Sequence, residues 1–197
     1  MRDDSRSILL VGVGGQGTIL ASKILSEGLM LIGYDVKMSE IHGMSQRGGN
    51  VSTQIRFGKK INSPIIGIGE ADVVVAFEKM EALRWIEYLK PGGSMIVNDY
   101  AIPSLPILMG VAKYPEGIVE DLASKTNLTL IEATNIADEI GNSKTMNIVL
   151  LGAAVTALNN QFGGELSEID WPAIIKDSVK ESFVDINIAA FERGAAN

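Results

Sequence analysis

The feature that most constrains the fold is a glycine-rich turn at residues 12–17, Gly-Val-Gly-Gly-Gln-Gly, which lies between an apolar run and an amphipathic stretch. The apolar run at residues 8–11 predicts a buried strand, and residues 16–32 carry apolar side chains at helical spacing up to Gly33, where the helix is expected to end. Because glycine has no Cβ, backbone N–H groups in such a turn can face an anion at the positive end of the helix. The pattern predicts the strand, turn and helix that open a Rossmann-like fold.

The ligand of this turn is not fixed by its spacing. Thr18 and Ile19 stand where a P-loop needs Lys followed by Ser or Thr, which excludes a nucleoside triphosphatase. A dinucleotide site also needs an acid near the end of the second strand, and Glu40 is the candidate. Two alternatives therefore stay open: NAD(P) binding by a free-standing oxidoreductase, and a purely structural module in which the glycines serve only packing.

Composition narrows the range of functions. The chain has 197 residues, of which 46% are hydrophobic, so residues 1–197 are predicted to form a single domain with a deep core. A net charge of -7 argues against nucleic acid as a partner. The absence of cysteine from the sequence excludes a thiol nucleophile and a cysteine-ligated iron–sulfur cluster in this chain, and with His42 as the sole histidine no metal site is predicted.

The sequence also gives expectations about location. Residues 1–6 are charged and lead straight into the first strand, so no secretory signal is predicted and a cytoplasmic location is expected. The most apolar helix, predicted over residues 144–158, is shorter than the roughly 20 residues that a membrane span needs, so no membrane association is predicted. Its many small residues predict a core helix, with a subunit interface as the alternative.

The remaining pattern predicts an α/β fold with a doubly wound, mostly parallel sheet and helices on both faces. Residues 51–57 are an exception, because they alternate apolar and polar side chains like a half-exposed strand. A turn at residues 58–60 leading into residues 61–66 then predicts an edge hairpin inserted into the sheet. The other predicted strands are residues 34–38, 73–77, 94–97 and 128–131, and the other predicted helices are residues 81–89 and a region from an Asp170 N-cap to about Phe191.

A second polar motif, residues 39–50, follows the predicted second strand and so falls at the carboxyl edge of the sheet, where open α/β folds bind ligands. Arg47 is suited to clamp a carboxylate or phosphate with its planar guanidinium group. Ser45 lacks the spacing of a nucleophile elbow. His42 is a candidate proton shuttle or a hydrogen-bonding spacer. The alternative for the whole motif is a solvated loop.

Four segments together resemble a known family, the small gamma-type subunits of 2-oxoacid:ferredoxin oxidoreductases. The resemblance covers nearly the whole chain, and the form of residues 39–49 is most similar to the indolepyruvate branch of this family. The segments, in the family's order, are the turn at 12–17, Gly-Met-Ser-Gln-Arg-Gly-Gly at 43–49, Ala-Asp-Val-Val-Val-Ala-Phe-Glu at 71–78 and Gly-Asn-Ser-Lys-Thr-Met-Asn at 141–147.

The resemblance implies a division of labour. A large alpha subunit would carry thiamine diphosphate, Mg and iron–sulfur clusters of the 4Fe-4S type, and would pass electrons to ferredoxin. The small subunit would carry no cofactor, would be inert alone and would complete the active site for oxidative decarboxylation of an aryl pyruvate to an acyl-CoA. Coenzyme A is a candidate shared substrate.

The resemblance also directs attention to particular residues. Ser45 and Arg47, with His42, are the candidates for contacts at the joint active site. Asn142 and Ser143 are predicted to cap a helix, and a buried core amide is the alternative for Asn147. The predicted binding residues are Gly12, Gly14, Gly15, Gln16, Gly17, Glu40, Gln46, Gly48, Gly49, Lys144 and Asn147.

Overall fold

A computed structural model describes residues 5–43 and 49–197, with the backbone alone for His42. Within these ranges one sheet has the order β2-β3-β1-β4-β5-β6. Strands β1, β4, β5 and β6 pair in parallel, while β3 is antiparallel to both of its neighbours. The α/β fold with a mostly parallel sheet is thus confirmed. The strands are β1 (Arg6–Val13), β2 (Asp35–His42), β3 (Asn50–Gly58), β4 (Ala71–Ala76), β5 (Leu89–Asn98) and β6 (Asn127–Ile131).

Helices cover both faces of this sheet, as predicted. The alternating side chains of β1 enter two separate cores, so that Ile8 packs on one face and Leu9 on the other. The larger core lies under α1 and α5 to α8, and the smaller one lies under α2 and α4. The helices are α1 (Thr18–Leu31), α2 (Lys79–Trp85), α3 (Leu105–Leu108), α4 (Ile118–Lys125), α5 (Ala133–Ile140), α6 (Met146–Gln161), α7 (Trp171–Ser178) and α8 (Val184–Ala195).

The inserted hairpin exists, but its arms differ from the prediction. It is formed by β2 and β3, with β2 at the edge of the sheet, whereas residues 61–66 form no strand. The expectation that residues 51–57 are half exposed is wrong, because β3 lies inside the sheet. Two of its polar side chains hydrogen-bond to the backbone of the following segment: Ile66 N–H donates to Gln54 Oε1 over 2.6 Å, and Arg56 Nη1 donates to Ile65 O over 3.2 Å.

Several helix boundaries also differ from the prediction. The helix expected at residues 81–89 begins earlier and gives way to a 3-10 turn at Ile86–Tyr88, after which β5 begins. The final helical region is divided into α7 and α8. Its predicted start is confirmed, since the Asp170 side chain accepts a hydrogen bond from Ala173 N–H at 3.1 Å. A short helix, α3, lies in the segment after β5, for which neither a helix nor a strand was predicted.

Helix α6 is a core helix, and its small residues serve a close crossing with α8. A Cβ on Gly152 would lie 2.1 Å from Phe191 O, and one on Gly194 would lie 1.9 Å from Val149 O. The two glycines therefore let the helix backbones touch, which explains why this stretch is both apolar and rich in small residues. None of the helices in the described part of the chain combines the length and hydropathy that a membrane crossing needs.

Candidate functional site

The structure brings the two polar motifs of the sequence together at the carboxyl edge of the sheet. The glycine turn follows β1, and the segment that joins β2 to β3 begins and ends beside it. Gly14 N–H donates to Gly49 O over 2.8 Å, Val13 pairs with Asn50 across the sheet, and Gly43 N–H donates to Asn50 O over 3.1 Å. The two motifs that carry the resemblance in the first quarter of the chain are thus neighbours in space.

Several predicted site residues fall in the segment between β2 and β3 that the structure does not describe. Ser45, Gln46, Arg47 and Gly48 lie outside the described residues, as does the side chain of His42. Their roles stay predictions.

Glu40 is placed, on β2 opposite Thr53. Strand β3 separates β2 from β1, whereas the ribose-binding acid of a dinucleotide fold ends the strand next to β1. This strand order does not favour NAD(P) binding at the turn.

The side chain of Gln16 closes the glycine turn from inside. Its Oε1 accepts a hydrogen bond from Val13 N–H at 2.7 Å, and its Nε2 donates to Phe77 O at 2.9 Å. A Cβ on Gly12 would lie 2.8 Å from Gln16 Oε1 and 2.9 Å from Phe77 Cβ, so only glycine fits there. The Gln16 side chain thus ties β1 to Phe77 after β4, and Gly12 leaves room for it. The predicted contact of both residues with a ligand stays a prediction.

The N-terminus of α1 remains open toward the carboxyl edge. Its N-cap is Gly17 at φ 80°, with no side-chain cap and no acid in the first turn. Asn147 is buried and donates through Nδ2 to Gly17 O over 3.1 Å, which agrees with the interpretation as a core amide. The capping prediction is confirmed for Asn142, whose Oδ1 accepts from Lys144 N–H at 3.1 Å, and is wrong for Ser143, which is the first residue of the 3-10 helix itself.

A cavity of about 420 Å³, here called the turn cavity, lies against this helix start. Gly15, Gln16 and Gly17 form one wall, and Lys144, exposed at the start of the 3-10 helix before α6, is the only charged residue among its described lining residues. The amides of a helix N-terminus and an ammonium group both favour a negative charge. The turn cavity is therefore suited to hold an anionic group.

The buried carboxylate of Glu78 hydrogen-bonds to several segments beside the site. Its role was not predicted from the sequence. Glu78 is 0% exposed and is the second residue after β4. Its Oε2 accepts from Glu81 N–H at 2.9 Å, and its Oε1 accepts from Ile102 N–H at 3.0 Å and from the Tyr114 hydroxyl. Burial, together with this hydrogen bond, raises the pKa of Tyr114. One carboxylate thus fixes both ends of the segment that follows β5.

That segment presents an exposed apolar surface, which was not predicted from the sequence. Residues 100–112 contain no charged residue in a chain that is 21% charged. None of the α3 side chains is buried against the chain's own core. An apolar patch of this kind marks an interaction site. We define the α3 surface as Tyr100, Leu105, Leu108, Met109 and Val111, which are exposed by 42 to 77%.

The α3 surface borders a second cavity of about 540 Å³, whose lining includes Val13, Asn50 and Glu81. Glu81 is almost fully buried, and its Oε1 lies 3.3 Å from Nε of the more exposed Arg84. Its Oε2 has no hydrogen-bond partner among the described residues. Burial raises the pKa of Glu81 despite the nearby guanidinium.

We expect Glu81→Gln to be at least as stable as the parent chain at neutral pH. A raised folded-state pKa contributes stability that is full below the unfolded pKa and is lost as pH rises through the folded pKa. The amide cannot ionise, so the free energy of unfolding should depend less on pH above about pH 4. Urea unfolding at several pH values measures this, with the exposed Glu87→Gln as control. A pH dependence identical to that of the parent would contradict the interpretation.

The described residues contain no group of three or more His, Cys, Asp or Glu that could hold a metal ion. The described residues of this edge are suited to anion binding and apolar contact.

Comparison with known proteins gives a family match over almost the whole chain. A family model described as pyruvate ferredoxin/flavodoxin oxidoreductase matches residues 7–197. The indolepyruvate oxidoreductase subunit IorB of Thermococcus kodakarensis is 39% identical over 194 residues, which cover 95% of this chain and 93% of the relative. The pyruvate/ketoisovalerate oxidoreductases common subunit gamma of Pyrococcus furiosus is 31% identical over 172 residues, 80% of this chain and 86% of the relative.

Solved structures share the fold. The gamma subunit of a keto/oxoacid ferredoxin oxidoreductase from Geobacter sulfurreducens superposes with a TM-score of 0.69 at 24% identity, covering 97% of this chain and 96% of that one. A 2-oxoglutarate:ferredoxin oxidoreductase from Magnetococcus marinus, with 2-oxoglutarate, coenzyme A and succinyl-CoA bound, gives a TM-score of 0.71 at 19% identity. The match covers 99% of this chain but 31% of that one, so there the fold is one part of a longer chain.

Proposed function

Because the chain belongs to the pyruvate ferredoxin/flavodoxin oxidoreductase family, we propose that it is the small subunit of a complex that oxidatively decarboxylates an aryl pyruvate. In the proposed reaction the 2-oxoacid loses CO2, its acyl group is transferred to the thiol of coenzyme A, and a pair of electrons passes to ferredoxin. The choice of an aryl pyruvate is supported by relatives named indolepyruvate oxidoreductase subunit IorB at 35 to 39% identity. The structural-module and NAD(P) alternatives are not favoured.

The reactive groups are proposed to reside in a larger alpha subunit. The chain contains no cysteine, so its own side chains do not fit an iron–sulfur cluster. Thiamine diphosphate with Mg, when bound in the alpha subunit, would supply the carbanion chemistry, and the clusters would take the electrons. The complex is proposed to work in the cytoplasm.

The small subunit is proposed to shape and shield the shared pocket. The turn cavity would hold an anionic part of a substrate, with coenzyme A the first candidate, through the α1 N-terminus and Lys144. Ser45 and Arg47, together with His42, would reach the 2-oxoacid from the segment between β2 and β3, whose ends lie beside the turn. Excluding water from such a pocket strengthens every charge interaction within it.

The α3 surface is the observation that carries this proposal, because it is where the chain would meet the alpha subunit. It borders both the turn cavity and the second cavity, since Tyr100 lines the former and Leu105 and Leu108 line the latter. An exposed uncharged stretch of this length disfavours an isolated chain and suits an apolar face of another subunit. Glu78 accepts hydrogen bonds from Ile102 N–H and the Tyr114 hydroxyl, so the segment after β5 is preorganised in the isolated chain. Preorganisation lowers the entropic cost of docking.

We expect Leu108→Asp to abolish co-purification of this chain with the alpha subunit after coexpression. Leu108 is 70% exposed on α3, so the substitution should leave the fold intact while placing a charge in the interface. Leu31→Asp is the matched control: Leu31 is 69% exposed but ends α1, at the opposite edge of the sheet. Circular dichroism checks the fold of both variants.

Retained co-purification of Leu108→Asp, or equal loss in both variants, would contradict docking through the α3 surface. The reaction itself is tested by reduction of methyl viologen by the reconstituted complex, with indolepyruvate, pyruvate and 2-oxoglutarate compared in the presence of coenzyme A. The expected result is preference for indolepyruvate and no turnover by either subunit alone. Turnover by the isolated small subunit would refute the proposed function.

A further inference from the structure

We infer that a third cavity, between the start of α6 and the connection from α7 to α8, is a binding site for a phosphate ester that carries a planar aromatic group. The cavity measures about 330 Å³ and is here called the lysine cavity. Among the described residues that line it, the only charged ones are Lys144 and Lys180. Lys144 also lines the turn cavity, whereas Lys180 and Phe183 line the lysine cavity and not the turn cavity, so these two residues distinguish this site from the proposed function.

The charge of the lining residues favours an anionic ligand. The chain carries a net charge of -7, yet none of the described residues that line this cavity has a carboxylate. Asp177, Glu181 and Asp185 lie on the same elements but are not among its lining residues. Among the described residues, neither lysine forms an ion pair. Like charges on two lysines that line one cavity repel each other, and a phosphate bound there would relieve this repulsion.

Two buried asparagines form neutral walls of the cavity. Asn147 and Asn187 are both more than nine-tenths buried, and their Nδ2 groups donate to Gly17 O at 3.1 Å and to Phe183 O at 2.7 Å. These bonds fix the walls. The 16-residue helix α6 begins at the same place, and the partial positive charge of its N-terminus adds to that of Lys144.

An exposed aromatic ring also lines the cavity. Phe183 is 46% exposed, and Leu20 of α1 is another lining residue. An exposed aromatic ring beside a cationic pocket suits a planar base, which can stack on the ring while its phosphates reach the lysines. A nucleotide has this combination, whether it is free or forms one end of coenzyme A.

The test is calorimetric titration of the full chain with ADP, inorganic pyrophosphate and adenosine. We expect ADP to bind best, pyrophosphate to bind more weakly and adenosine not to bind at millimolar concentration. Lys180→Gln should weaken ADP binding by about tenfold, because a charge-assisted hydrogen bond is lost. Lys176→Gln is the matched control, since Lys176 is an exposed lysine of α7 that does not line the cavity. It should leave binding unchanged.

Phe183→Leu separates stacking from charge: it should lower ADP affinity to that of pyrophosphate and leave pyrophosphate binding as it is.

The inference is overturned if ADP binds no better than adenosine, or if Lys176→Gln weakens binding as much as Lys180→Gln. Competition identifies the source of the nucleotide. Displacement of ADP by coenzyme A assigns the site to the nucleotide end of coenzyme A, and ADP binding without displacement assigns it to a free nucleotide. If ADP binds but the complex shows no oxoacid turnover, the proposed function is refuted and the inferred nucleotide site is not.

Discussion

Gly194→Ala is expected to lower the free energy of unfolding by about 3 kcal/mol, although Gly to Ala within a helix is ordinarily stabilising. The added Cβ would lie 1.9 Å from Val149 O and 2.7 Å from Val149 C. These are backbone atoms of α6, so no side-chain rotation relieves the collision and the two helices must move apart. Separation would also strain the hydrogen bond from Thr156 Oγ1 to Ala195 O, which is 3.0 Å long.

Urea denaturation measures this effect, and the melting temperature should fall by roughly 2–4 °C for each kcal/mol lost. Gly33→Ala is the control, because a Cβ there meets nothing within 4 Å and only the φ of +91° opposes it. Its expected cost is about 1 kcal/mol. A Gly194→Ala chain as stable as the parent would mean that α6 and α8 cross at a greater distance than described.

Glu78→Ala is expected to cost about 3–5 kcal/mol of unfolding free energy, because a buried carboxylate that accepts several hydrogen bonds is removed. The substitution leaves Glu81 N–H, Ile102 N–H and the Tyr114 hydroxyl without their acceptor. The segment after β5 should then loosen, and amide hydrogen exchange at Ile102 should accelerate together with the loss of stability.

Tyr114→Phe provides a milder variant in case Glu78→Ala does not fold. It removes a single donor to Glu78 and should cost about 1–2 kcal/mol. Glu87→Ala, at an exposed position, is the control and should leave stability nearly unchanged. Unchanged exchange at Ile102 in both Glu78→Ala and Tyr114→Phe would show that the carboxylate does not hold the segment. Loss of alpha-subunit binding by these variants would extend the effect to assembly.

Much of the fold could be predicted because its signals are local. The strand at residues 8–11, the turn that follows it and the helix ending near Gly33 each have a pattern that needs no knowledge of distant residues. Asp170 and Asn142 could likewise be predicted as caps, since a cap acts on amides within a few positions. The apolar run of α6 predicted a core helix for the same reason.

The failures have a common cause. The alternation at residues 51–57 predicted an exposed face. The pattern does not distinguish a polar side chain that is hydrated from one that hydrogen-bonds to a distant backbone. In the folded chain Gln54 and Arg56 bind the backbone of residues 65 and 66. The polar motif at residues 39–50 could be assigned to the carboxyl edge, but its contact with the turn depends on β3 entering the sheet beside β1.

By itself the sequence determined the α/β class, the anion-suited glycine turn, the absence of cysteine ligands and the resemblance to a family of oxidoreductase subunits. Those properties depend on residue types and short spacings. Only the tertiary structure decided the strand order, the touching of α6 and α8 at Gly152 and Gly194, the burial of Glu78 and the exposure of the α3 surface. The physical reason is that burial and contact depend on which distant segments cover a residue, and hydrophobic patterning does not specify that choice.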